Sequence, residues 1–147
     1  MTKEQKDLLL KDLCSRLPYG VKVQIDLQSN IYPPMICKVC NIEFAEMGGS
    51  FIGVEVLSDS YSEYREFLCK PCLYPLSSMT EEQRRDLTNL FNCTVVITEW
   101  EIVFPNYYDS NMDNWNKVFY WCYKNHFDCN GLIPLGLAID ATGLNIY

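Results

Sequence analysis

Two C-x-x-C pairs, Cys37-Lys-Val-Cys40 and Cys69-Lys-Pro-Cys72, are the residues whose type and spacing come nearest to a recognisable chemistry. Each pair can form a knuckle aiming two thiolates at one Zn2+, and four thiolates close a structural tetrahedron with no position left open for catalysis. Residues 41–68 separate the pairs. That exceeds the usual interval of roughly fifteen to twenty residues, so a hairpin would have to bring them together. A plainer reading competes. Cys37 and Cys40 lie in an alternating run, and in a regular strand positions 37 and 40 face opposite sides. Neither pair carries the trailing glycine that lets a knuckle turn. On this reading Cys37, Cys40, Cys69 and Cys72 are small packing residues. A disulfide within either pair is the third alternative.

A second constellation is Cys122-Tyr-Lys-Asn-His126-Phe-Asp-Cys129. On a continuous helix Cys122 and His126 share a face, with Cys129 a turn further on. That arrangement fits a partial metal site, or a thiol whose pKa an imidazole lowers. The same histidine, the only one in the chain, also suits a capping or packing role beside an expected helix end. A nucleophile would further need an oxyanion-stabilising site, and the sequence locates none. Gly131-Leu-Ile-Pro-Leu-Gly136 has the glycine spacing of a phosphate loop but continues Leu137-Ala138 where Lys-Ser/Thr is required. The carboxylates are scattered and single out no acid/base pair. No catalytic residue and no enzymatic activity is expected, and no cofactor other than the structural zinc.

Charge narrows the classes of partner. The 147 residues carry a formal net charge of −7. Between Glu43 and Glu66 the acids are Glu43, Glu46, Glu55, Asp59, Glu63 and Glu66, against Arg65 alone. Nucleic-acid binders bring a basic stripe to neutralise phosphates, and none is visible, which disfavours direct DNA or RNA binding. Aromatic residues make up 14% of the chain. Tyr120, Trp121 and Tyr123 lie wholly or partly off an expected helix stripe, so they either pack that helix on a second side or form a partner-binding patch. The apolar stretches are too short to cross a bilayer and the opening residues make no secretory signal, so a cytoplasmic protein with reduced thiols is expected.

The elements that must position these groups can be read from periodicity. Thr2 and Gln5 form a capping box for a first helix, whose stripe is Leu9, Leu10, Leu13, Cys14 and Leu17, and which Pro18-Tyr-Gly20 stops. Val21–Ile25, Met35–Glu46, Ser50–Leu57 and Tyr64–Leu68 read as strands, with Met47-Gly48-Gly49 as a hairpin turn and Pro71 as a stop. Thr80 and Gln83 cap a second helix marked by Leu87, Leu90 and Phe91. Thr94–Phe104 reads as a strand, with Val96, Trp100, Ile102 and Phe104 on one side. Asp113 is placed as the cap of a third helix through Asn125 with the stripe Trp115, Val118, Phe119 and Cys122. An irregular tail follows. The fold class is α+β: an N-terminal helix and a small SH3-like or Sm-like β-barrel or curled antiparallel sheet, then helix, strand, helix and tail. Residues 1–76 would form the first part and 77–147 an α+β part packed on it, or the whole a single domain.

Three phrases resemble one family. Lys11-Asp-Leu-Cys-Ser-Arg-Leu-Pro-Tyr-Gly-Val-Lys-Val23, Lys70-Pro-Cys-Leu-Tyr-Pro-Leu-Ser-Ser-Met-Thr-Glu-Glu-Gln83 and Asn125-His-Phe-Asp-Cys-Asn-Gly-Leu-Ile-Pro-Leu-Gly-Leu-Ala-Ile-Asp140 are similar to phrases of short uncharacterised proteins carried by gut Bacteroides-type bacteria and their prophages. The resemblance spans nearly the whole chain and implies kinship without an activity. The family phrases have an aromatic residue where this chain has Cys72 and Cys129, so the resemblance implies no inherited metal role.

The expected function is a non-enzymatic, acidic interaction protein with an unidentified protein partner, an accessory product of a prophage or mobile element. Its face would be the Glu43–Glu66 surface or the Tyr120–Tyr123 aromatics. The alternatives are a zinc-stabilised module built on the two C-x-x-C pairs, and an inhibitor of a host defence protein that mimics nucleic-acid charge.

Overall fold

In a computed structural model the described residues are 1–27, 31, 33–45, 49–57, 60–91, 96–98, 101–103 and 112–147. Helix α1 (Lys3–Arg16) begins at the expected capping box, in which the Gln5 amide donates to Thr2 Oγ1 (3.2 Å) and the Thr2 amide to Gln5 Oε1 (2.8 Å). A 3-10 turn at Leu17–Tyr19 ends it, closed by Gly20 at φ 70°, a conformation that glycine adopts without steric cost. Leu9, Leu10 and Leu13 are buried as the stripe requires, whereas Cys14 is exposed.

Strands β1 (Lys22–Ile25), β2 (Met35–Ala45), β3 (Gly49–Leu57), β4 (Ser60–Arg65), β5 (Cys69–Leu73) and β8 (Ile139–Asp140) form one mixed sheet in the order β4-β3-β2-β1-β5-β8. Neighbours run antiparallel except β5 and β8, which pair in parallel through Cys72–Ile139 and Leu73–Asp140. The sheet is not closed into a barrel: β4 and β8 are its two edges. Two strand boundaries differ from expectation. The fourth strand starts at Ser60 and gives way at Glu66–Leu68 to a 3-10 turn. The next strand runs through Pro71. The Asp26 amide donates to Leu68 O (3.2 Å), which fixes Val23 and Pro71 as a facing pair between hydrogen-bonded positions. There the missing N–H of proline costs no bond to β1.

Helix α2 (Glu81–Phe91) also starts at its capping box, with the Gln83 amide donating to Thr80 Oγ1 (3.2 Å). The expected strand over 94–104 is instead two short strands, β6 (Val96–Ile97) and β7 (Ile102–Val103), paired antiparallel. Thr98 makes the reversal: its amide donates to Glu101 O (2.8 Å) and its hydroxyl accepts from the Glu101 amide (2.9 Å). Trp100 and Phe104 lie outside the described residues. Helix α3 spans Met112–Lys124, so Asp113 lies inside it and does not cap it. No described helix is long and apolar enough to cross a membrane.

Helix α1 covers the inner face of the sheet, where Leu9, Leu10 and Leu13 meet Val23, Ile25, Val39, Ile52 and Val54. A second cluster joins Leu76 and Met79 to Val118 and Cys122 of α3 and to Phe127. Between the two sits a buried ion pair. Arg16 Nε donates to Asp12 Oδ2 (2.6 Å) and Nη2 to Asp12 Oδ1 (3.0 Å), with both side chains fully out of water. Arg16 Nη2 also donates to Phe127 O (2.7 Å) and Nη1 to Cys122 O (3.5 Å), and the guanidinium lies 4.9 Å from the centre of the Tyr123 ring. Asn130 Nδ2 adds a donor to Asp12 Oδ1 (2.8 Å).

Removing one member strands the other in a dry site, a cost of about 3–5 kcal/mol. Arg16→Ala should lose stability on that scale in urea unfolding. A loss below about 1 kcal/mol, the range of an exposed pair, would show that Asp12 finds water in the native state.

Candidate functional site

The outward face of β2, β3 and β4 gathers most of the described acids picked out by sequence. Pairing places Glu43 beside Phe51 and Arg65, Asn41 beside Gly53 and Glu63, and Lys38 beside Glu55 and Tyr61. Paired residues share a face, and Ile42, Ile52, Val39 and Val54 point to the other side, into the core. The outward residues hydrogen-bond to one another. Tyr61 OH donates to Asn41 Oδ1 (2.7 Å) and lies 3.1 Å from Glu63 Oε1, while Asn41 Nδ2 donates to Glu43 Oε1 (2.9 Å). Gly53 lies beneath this chain, and a Cβ there would come within 1.8 Å of Asn41 Oδ1 and 2.3 Å of the Tyr61 hydroxyl. Partial desolvation, with Glu63 and Glu43 adding, pushes the Tyr61 phenol up, which keeps it protonated as a donor.

Glu66 does not belong to this face. It is 6% exposed, pairs with Lys6 Nζ (2.8 Å) and accepts from the Ser50 amide (3.2 Å). Burial opposes its charge, but Lys6 and the backbone amides outweigh burial and hold the carboxyl below its usual range. Glu46 and Asp59 lie outside the described residues.

The aromatic trio is divided. Trp121 stacks on Phe127 (5.6 Å between ring centres, 5° between planes). Tyr123 is half-buried, stacked on Phe119 and covered by the Arg16 guanidinium. Tyr120 alone turns outward, 57% exposed and edge-on to Tyr19. With Lys11, Ser15 and Asn116 these two tyrosines line a shallow hollow of about 420 Å3.

The four paired cysteines are not brought together. Cys37 and Cys69 are buried beneath α1, while Cys40 is exposed at a bulge, the register stepping from Val39–Val54 to Asn41–Gly53 and leaving it unpaired. Cys72 follows inward-facing Pro71 and turns to the opposite side of β5, toward Lys22 and Gln24. Burial pushes the Cys69 thiol up to about 12 and the Cys72 thiol up to about 11, and both stay protonated at neutral pH. Among the described residues no group of three or more His, Cys, Asp or Glu is placed to hold a metal ion.

The Cys122–His126 constellation is broken by the chain itself. Helix α3 ends at Lys124, and His126 takes φ 59°, which swings its ring off the helix face. The imidazole stacks on Tyr147 with 3.7 Å between ring centres, and its Nδ1 is buried without a hydrogen-bond partner. Burial, with the positive charges of Arg16 and Lys22, pushes His126 down to about 4. Cys129 does lie against Cys122. That contact and burial raise its thiol well above the usual range, the opposite of an activated nucleophile. Asp128 accepts from the Leu132 (2.8 Å) and Ile133 (2.7 Å) amides and so anchors the Gly131–Gly136 loop. No family model, no curated protein and no solved structure matches this chain.

Two measurements check this geometry. A thiol reagent applied to the native protein should label Cys40 and leave Cys37, Cys69 and Cys72 protected. A zinc-clamped quartet would shield Cys40 until a chelator is added. The second concerns pH. The folded His126 pKa lies below the ordinary value of 6.5, so the unfolded chain binds more protons as pH drops. Its contribution is complete above pH 6.5, declines on acidification and is exhausted near pH 4. Asparagine tolerates the left-handed backbone and does not titrate, so wild type should lose on the order of 3 kcal/mol relative to His126→Asn between pH 7 and 4. Parallel stability curves would mean that His126 is solvated.

Proposed function

We propose that the chain is a non-catalytic interaction protein that presents the outward face of β2, β3 and β4 to a basic segment of a protein partner. The hydrogen-bonded run Glu43–Asn41–Tyr61 over Gly53, with Glu63 Oε1 3.1 Å from the Tyr61 hydroxyl, carries this reading. It holds two carboxylates and a phenol in fixed positions on rigid strands, which reduces the ordering cost of binding. Exposed acids of one sign also steer a cationic partner toward the surface. Lys38 and Arg65 stand on the same face. They interrupt the negative field, which favours a discrete basic partner over mimicry of a continuous polyanion. In this reading the protein acts in the cytoplasm as an accessory product of a mobile element, in keeping with the resemblance of its phrases to prophage-carried proteins.

A fluorescein-labelled decapeptide of lysine and arginine provides the test. Its affinity should fall with salt and fall about tenfold in Glu43→Gln/Glu55→Gln/Glu63→Gln. Gly53→Ala should also weaken binding, since its Cβ displaces Asn41 and Tyr61 while every charge remains. Unchanged affinity in the triple variant would remove this face as the binding surface.

A further inference from the structure

The start of α1, the turn at Glu66–Leu68, β5 and the loop Leu135–Leu137 enclose an open cleft of about 740 Å3, on other elements than the acidic strands. Leu9, buried, forms part of its floor, and Phe67 and Leu135 line it with 58% and 49% of their surface exposed. Lys3, Lys6 and Lys70 line it as well, with Glu66 the one acidic residue among the lining. Glu66 is already matched by Lys6, whereas Lys3 and Lys70 have no ion-pair partner among the described residues. A chain of net charge −7 therefore keeps two unneutralised cations beside exposed apolar surface in one concavity. The helix amides are not what would draw an anion, because the Thr2–Gln5 capping box already engages two of them.

We propose that this cleft binds an acidic peptide segment of a partner protein, its carboxylates meeting Lys3 and Lys70 and its apolar side chains lying against Phe67 and Leu135. The volume is that of a site for several side chains. The rim decides against a free acyl chain: with Phe67 and Leu135 half-exposed, a hydrocarbon tail would keep much of its length in water. A peptide leaves its backbone solvated and buries only its apolar side chains. Charge complementarity selects acidic residues beside them. The proposal does not depend on the acidic face of β2, β3 and β4, which would take a partner of the opposite sign.

The test is a selection of random dodecapeptides displayed on phage against the immobilised full-length protein, followed by fluorescence anisotropy with the synthetic consensus peptide. The recovered sequences should combine Asp or Glu with Leu, Ile or Phe. Lys3→Glu/Lys70→Glu should weaken the consensus peptide at least about tenfold and Leu135→Ser about threefold. Lys11→Glu/Lys117→Glu, the same change of charge elsewhere, should shift affinity less than about twofold. All of these side chains are exposed or half-exposed, so the variants should keep the wild-type melting temperature within a few degrees. A basic consensus, or an acidic one indifferent to Lys3→Glu/Lys70→Glu, overturns the proposal. So does saturable laurate binding without peptide enrichment, which would make this an acyl-chain site. A third overturning result is loss of peptide binding as the protein self-associates, which would make a second copy the occupant.

Discussion

The buried pair of Asp12 and Arg16 is the constraint on which the rest of this structure turns. Two opposite charges taken out of water carry a desolvation penalty that their mutual attraction offsets only when every remaining donor and lone pair is also engaged. Here the guanidinium reaches the carbonyls of Cys122 and Phe127, and Asp12 takes a further bond from Asn130. The Cys122 carbonyl belongs to the last turn of α3, where it also accepts from the Phe127 amide (2.9 Å) and where a cation is favoured. One helix thus covers the sheet with its leucines and holds the end of α3 with its arginine. The reversed backbone at His126, the Tyr74–Phe127 bridge and the Asp128-anchored loop all lie within a few residues of those two carbonyls.

What the sequence discloses and what it hides divide by the range of the interaction. Both capping boxes, the α1 stripe and the β2–β3 hairpin are legible because each depends on residues a few positions apart. The parallel pairing of β5 with β8 is not, since it joins residues 72–73 to 139–140 with no local signal at either end. The acidic run from Glu43 to Glu66 reads as one surface, yet Glu66 is withdrawn to pair with Lys6, a contact between distant elements. Alternation correctly separates Cys37 from Cys40. The Asp12–Arg16 pair has a local signature of its own: positions 9, 12, 13 and 16 recur at helical steps, which places both charges on the buried stripe.

Electrostatically the molecule is uneven in an ordered way. The acids of β2, β3 and β4 occupy strands at one side of the sheet, whereas Lys3 and Lys70, without an ion-pair partner among the described residues, sit on α1 and β5. Strand geometry explains half of this, because alternate residues of three adjacent strands must share a side. The other half follows from α1, which keeps Asp12 and Arg16 paired on its buried stripe with Leu9, Leu10 and Leu13 and leaves Lys3 and Lys6 to line the cleft. Two regions of opposite sign are thereby held on rigid elements.

The bulge at Cys40 has an evolutionary corollary. Because that residue faces no partner on β3, removing it would leave Lys38 and Val39 upstream and Asn41 through Ala45 downstream opposite the same neighbours as before. A deletion elsewhere in β2 would invert the strand beyond it and turn Glu43 toward Ile52. Position 40 is therefore a point in β2 where descendants of this sequence can lose one residue without rewriting either side of the sheet.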